Sequence, residues 1–200
     1  VIKQFLARAW LALSGWALEG PVPPAVRCVV IAAPHTSNWD FVHMLALAWA
    51  HGLRPRWMGK ASLFVFPFGP VMRRLGGMPI DRSRRGQLVA QCVARLEADP
   101  GLMLVVPAEG TRALGTHWRS GFYHIARMAR VPVVLGYLDY PRRRGGLDAG
   151  FVPTGDVSAD MDRIRAFYAD KVGRHPASFT PPRLVEEAQP KQPAAPGRSV

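Results

Sequence analysis

The apolar positions of the chain fall into short continuous runs separated by stretches with helical spacing. Val26 to Ala33 is a nearly unbroken apolar run, the pattern of a strand buried on both faces. Asn38 to His51 predicts a helix ended by Gly52, and Arg56 to Gly59 a second short strand. Residues 62 to 75 contain Pro67, Gly69 and Pro70, so a helix there starts late or is broken. After Gly76-Gly77, Met78 to Arg82 reads as a strand edge or a loop. Gln87 to Ala98 puts Leu88, Val89, Cys92 and Leu96 on one helical face and stops at Pro100-Gly101. Leu102 to Val106 is the most strand-like run in the chain. A helix over Trp118 to Arg130 and a strand over Val131 to Leu138 follow, then a basic, glycine-containing turn over 141 to 149. Val152 begins a final strand and Ala159 to Val172 forms a final helix.

Strands alternating with helices predict an α/β single-domain layered fold, with a central mostly parallel or mixed sheet flanked by helices. Its 200 residues suffice for one substantial core. The folded domain is expected over 21–173. From Arg174 the composition shifts to six prolines and few large apolar residues, which predicts a disordered or loosely docked Pro-rich tail over 174–200, with disorder the favoured reading. Residues 1–20 are apolar but do not read as a membrane span. Their longest run, Phe5 to Leu18, is about 14 residues and carries Arg8, whereas a span needs about 20. Phe5, Leu6, Trp10, Leu13 and Trp16, with Lys3 and Arg8, suit a helix lying in a membrane surface. They equally suit a helix packed on the domain's own core.

A formal net charge of +12 points to an anionic partner: nucleic acid, an anionic membrane surface, or phosphorylated ligands. The basic residues occur in small groups, and no recognition signature for single or double strands accompanies them, so no nucleic-acid partner is expected. Cys28 and Cys92 lack metal-ligand spacing and fit a reduced compartment better than a disulfide framework.

Candidate chemistry gathers where the strands end. The first strand runs into His35, Thr36 and Asp40; the glycine-punctuated segment ends on Asp81 and Arg82; the strongest strand runs into Glu109, Thr111 and Arg112. Ligands of α/β sheets bind beyond the carboxyl ends of strands. Each piece has a local alternative. Ser37-x-x-Asp40 has the spacing of a capping box, and Glu109 to Arg112 that of a turn with a permissive Gly110 and a locally bonded Thr111.

In this order the blocks resemble those of the glycerolipid acyltransferase family, typified by 1-acylglycerol-3-phosphate acyltransferase. They stand here as His35 to Asp40, Gly76 to Arg82, Glu109-Gly110-Thr111-Arg112 and Val131 to Val134, over roughly residues 15 to 140. The form His35-Thr36-Ser37-Asn38-Trp39-Asp40-Phe41 is similar to a short bacterial branch of that family. Ala108 departs from the usual proline before the glutamate. Lys60 matches the lysine the family often carries upstream of the second block.

The resemblance implies an O-acyltransferase of phospholipid biosynthesis. It would move a fatty acyl group from acyl-CoA or acyl carrier protein to a lysolipid hydroxyl, with 1-acylglycerol-3-phosphate the default acceptor and a lyso-ornithine lipid an alternative. His35 and Asp40 would be the catalytic pair, and Glu109, Gly110, Thr111, Arg112, Arg82 and Lys60 the substrate-binding set. An imidazole changes charge near neutral pH and suits removal of a hydroxyl proton. Asp40 would orient it, with the substrate hydroxyl in the place of a catalytic serine. No G-x-S-x-G elbow is present, so transfer is expected to be direct. No bound cofactor and no metal are implied. The expected location is peripheral, on the cytoplasmic side of the cell membrane.

Overall fold

A computed structural model describes residues 2–22, 27–80 and 85–188 of the chain. Strand β2 (Cys28–Ala33) lies at the centre of a seven-stranded sheet, parallel to β5 (Met103–Val106) on one side and β6 (Val133–Asp139) on the other. Beyond β5 the sheet continues in parallel through β3 (Pro55–Lys60) and β4 (Gly77–Ile80). Beyond β6 it turns antiparallel with β7 (Arg144–Leu147), which carries β1 (Ala17–Glu19) on its outer edge. The five parallel strands all point their carboxyl ends to one edge, where the candidate residues collect.

The apolar run of β2 is continuous because both faces of the sheet are covered. Val29 and Ile31 face the larger core, with Leu96 from α4 (Arg85–Ala98), Phe122 from α5 (Gly121–Ala129) and Ile164 from α6 (Val157–Tyr168). Cys28 and Val30 face the opposite layer, with Phe64 and Trp57, and Phe41 of α2 (Trp39–Ala50) packs there. Burial pushes the Cys28 thiol up to about 12, which keeps it an uncharged core side chain. Helix α1 (Ile2–Ser14) lies outside α2, burying Ala7 and Leu11 against Ala46, Leu47 and Ala50. The packing reading of the N-terminal segment therefore holds for one face of α1. Its other face leaves Ile2, Phe5, Leu6 and Leu13 exposed.

Several elements differ from the sequence expectation. The segment 62–75 resolves into a 3-10 turn over Ala61–Phe64 and a short α3 (Gly69–Arg74), the break predicted from its prolines and glycine. The basic turn at 141–149 contains a strand, β7. Its glycines are needed for close approach: a Cβ on Gly146 would collide with the Glu19 carbonyl of β1, and one on Gly145 with Leu47. The strand expected from Val152 is a single antiparallel bridge between Phe151 and Val133. Helix α5 starts at Gly121 rather than Trp118, because the Trp118 and Arg119 backbone N–H groups donate to Arg183 and Ala108 instead.

The expected disorder from 174 is corrected over residues 174–188. Leu184 and Thr180 are fully buried, and Trp118 Nε1 donates to the Thr180 carbonyl at 2.7 Å. One buried leucine and a few directed hydrogen bonds tie this proline-rich segment down, and composition alone does not reveal them. The remainder of the predicted tail lies outside the described residues.

Candidate active site

The turn after β2 is built by one carboxylate. Asp40 Oδ2 accepts the backbone N–H groups of Thr36 and Ser37, both at 2.8 Å, while Ser37 Oγ accepts the Trp39 N–H at 3.2 Å. The carboxylate half of the capping box is thus present, while the Ser37 hydroxyl bonds Trp39 instead of Asp40 and the helix N-cap is Asn38, with no side-chain cap bond. The same carboxylate faces His35, with Oδ2 3.5 Å from Nδ1. Its other oxygen accepts the Tyr140 hydroxyl at 2.7 Å. Burial on its own would raise the Asp40 carboxyl. The bonds from His35, Tyr140 and the Ser37 N–H outweigh it and hold the group below its ordinary value. Asp40 is therefore an anion behind the imidazole. Burial and the neighbouring carboxylate push the Tyr140 hydroxyl up, so it remains a donor to Asp40.

Glu109 has a different place from the acceptor contact expected of it. It is 2% exposed, and both of its oxygens accept backbone N–H groups: Oε1 that of His35 at 2.5 Å, Oε2 that of Thr180 at 3.1 Å. It joins the histidine turn to the C-terminal segment. Burial pushes this carboxyl up to about 7, against the two backbone bonds, which favour the charged form. The C-terminal segment makes a second contact with the turn, where the His175 N–H donates to Thr36 Oγ1 at 3.1 Å.

Gly110 sits at φ +72°, a backbone position that L side chains rarely adopt, and a Cβ there would run into the Arg119 side chain. The turn it permits exposes Thr111 and Arg112. Thr111 Oγ1 accepts the Ala113 N–H at 3.3 Å, the local bond foreseen for it. Gly110, Thr111, Arg112 and, from the end of β3, Lys60 line the same cavity as His35 and Asp40. Arg82 lies outside the described residues, as does Asp81.

That cavity has a volume of about 1120 Å³. It runs from the His35 turn between the sheet and α2, where Phe41, Met44, Ala48 and His51 line it. These positions are three or four residues apart and share one helix face. Met103 and Val105 of β5 form part of the opposite wall. The space is polar at the strand ends and apolar beneath them.

Two contributors escaped the sequence reading. Tyr140 follows directly on β6, a fourth strand exit next to β2, and the strand-exit rule applied there would have found it. Thr180 gave no signal, since its contribution is a backbone N–H. His43 is buried and stacks on Trp16 at a ring separation of 4.3 Å.

A paired histidine and carboxylate thus open onto a largely apolar cavity at the strand ends of an α/β fold. The acyltransferase family profile matches residues 21–135, and the chain belongs to that family. The crystal structure of the 1-acyl-sn-glycerophosphate (LPA) acyltransferase, PlsC, from Thermotoga maritima is similar in fold. Its TM-score is 0.56 at 15% sequence identity, over 84% of this chain and 75% of that chain. A comparison with curated proteins gives no match.

Proposed function

We propose that this acyltransferase moves a fatty acyl group from a CoA or acyl-carrier thioester to the hydroxyl of a lysolipid bearing an anionic headgroup, 1-acylglycerol-3-phosphate being the acceptor that fits best. The observation that carries this reading is the His35–Asp40 pair at the mouth of the 1120 Å³ cavity. With Nδ1 turned to Asp40, Nε2 is the nitrogen left to accept the acceptor's hydroxyl proton. The oxygen attacks the thioester carbonyl carbon, the C–S bond breaks, and the thiol leaves with the proton held by the imidazolium. A separation of 3.5 Å is long for a neutral pair, and the charge gained by the ring strengthens it at the moment of transfer. Tyr140 and the turn N–H groups fix Asp40 so that it orients the ring.

Arg112 and Lys60 stand at the polar mouth, where a phosphate would sit, and the guanidinium suits bidentate contact. The apolar depth suits the acyl chain. A charge of +12 and the apolar outer face of α1 support action at an anionic membrane surface, with the cytoplasmic face of the cell membrane as the setting. Among the described residues no helix is long and apolar enough to cross a membrane.

The test is transfer of labelled acyl groups to a panel of lysolipids by the purified protein and by His35→Ala. Loss of the general base lowers turnover by at least about a hundredfold. Near-normal turnover in a folded His35→Ala protein would sink the mechanism.

A further inference from the structure

We propose that the connection between β3 and α3, centred on Phe66 and Phe68, is a second membrane anchor that seats the cavity mouth on an anionic bilayer. The proposal rests on the lipid reading of the cavity given above. Residues 61–72, Ala-Ser-Leu-Phe-Val-Phe-Pro-Phe-Gly-Pro-Val-Met, contain no charged side chain. Phe66 is 90% exposed and Phe68 68%, beside exposed Val65 and Val71. Contiguous exposed aromatics of this kind mark an interaction surface.

The presentation is built into the fold. Phe64 turns inward, buried against Trp57 with ring centroids 5.9 Å apart. The Arg73 guanidinium lies over the Phe64 ring and donates to its carbonyl at 3.3 Å. The Gly69 N–H donates to the Val65 carbonyl at 2.7 Å and the Met72 N–H to that of Phe68 at 3.0 Å. The loop is pinned from within while Phe66 and Phe68 are held outward.

Charge and position select the partner. Between Asp40 and Asp81 the chain has no acidic residue, but it has Arg54, Arg56, Lys60, Arg73 and Arg74. Lys60 at the end of β3 and Arg73 over Phe64 border the loop, and an apolar tip bordered by cations matches a bilayer with anionic headgroups, because the phenyl rings enter the acyl boundary while the cations stay at the phosphates. Ser62 and Leu63, at the root of the loop, line the cavity together with His35. The loop packs on the same side of the sheet as α2, which carries α1 and its exposed apolar face outward. Both exposed apolar surfaces thus lie on the α2 side of the sheet, and the root of the loop lies at the cavity.

The experiment compares the full chain with Phe66→Ser/Phe68→Ser. Flotation is measured with vesicles of phosphatidylcholine alone and with added phosphatidylglycerol, alongside transfer between water-soluble short-chain substrates. The variant is expected to lose at least about tenfold in partition onto the anionic vesicles, the scale of exposing two phenyl side chains. Its turnover of soluble substrates should stay within about twofold, as expected of surface changes away from the reacting groups. Unchanged partition onto anionic vesicles would overturn the proposal. So would equal binding of the unaltered chain to both vesicle types, or a shift from dimer to monomer with vesicle binding intact, which would assign the patch to a second copy of the chain. Partition is read without any turnover, so absence of transfer by the unaltered chain would strike the functional reading alone.

Discussion

Substituting Ala48 by phenylalanine should shorten the acyl chain this protein prefers. Ala48 lines the cavity from α2, eight positions beyond Asp40. At 1.5 Å per residue that is about 12 Å of depth, and His51, also on the cavity wall, lies about 16 Å down. An extended chain advances about 1.2 Å per covalent bond, since three bonds of backbone span about 3.6 Å. A phenyl ring at 48 therefore meets a chain of about ten carbons, whereas the unaltered depth to His51 admits about fourteen. The four methylenes excluded are worth about 0.8 kcal/mol each, about 3 kcal/mol together, or a factor of roughly 200. The assay is kcat/KM with a series of saturated acyl-CoA donors. Ala48→Phe should cut the ratio of fourteen- to ten-carbon donors by up to that factor while eight-carbon donors are unaffected. A length profile unchanged in a protein that melts normally would refute the assignment of this cavity to the acyl chain. A uniform loss at every length would do the same.

Three further outcomes follow from the site and its supports. Because the Glu109 carboxyl is raised from 4.5 to about 7, the folded chain binds more protons than the unfolded one across that window. Its contribution is thus full below 4.5 and lost as pH rises through 7, a change of about 3 kcal/mol. Denaturant titrations at pH 4.5 and 8 should show Glu109→Gln gaining about that much relative to the unaltered chain as pH rises, and a pH-independent difference would contradict the burial argument. Arg112→Ala should raise KM for a phosphate-bearing acceptor by about tenfold or more, the cost of a charged hydrogen bond, and leave KM for an uncharged monoacylglycerol nearly unchanged. Leu184→Ala should destabilise the fold by about 2–5 kcal/mol in urea unfolding, whereas a disordered tail would give no effect.

The apolar runs foretold every strand buried on both faces, because such strands have no polar side to confuse the pattern. β2, β5 and β6 are of this kind. β7 was hidden because Arg144, Gly145 and Gly146 have the composition of a turn, and the demand for glycine arises only when β1 and Leu47 press against them. The His35 turn was legible because one carboxylate fits two local patterns: Asp40 lies three positions after Ser37, the capping-box spacing, and five after His35. What sequence could not show was contact through backbone groups. Glu109 holds two N–H groups from residues 74 and 71 positions away, and nothing in the identity of His35 or Thr180 advertises that.

The brace formed by Glu109 also bears on how much of the chain makes a working unit. The family profile ends at residue 135, yet the turn it contains is completed by the Tyr140 hydroxyl and the backbone of His175, and Glu109 by that of Thr180. A fragment trimmed to the profile would carry all four of His35, Asp40, Glu109 and Arg112 but lack the contacts from Tyr140, His175 and Thr180. During synthesis, which runs from the N-terminus, the turn is completed only when the segment carrying His175 and Thr180 has docked. The His35 turn is written early and finished late, so a chain stopped before Thr180 cannot present it with all of its contacts.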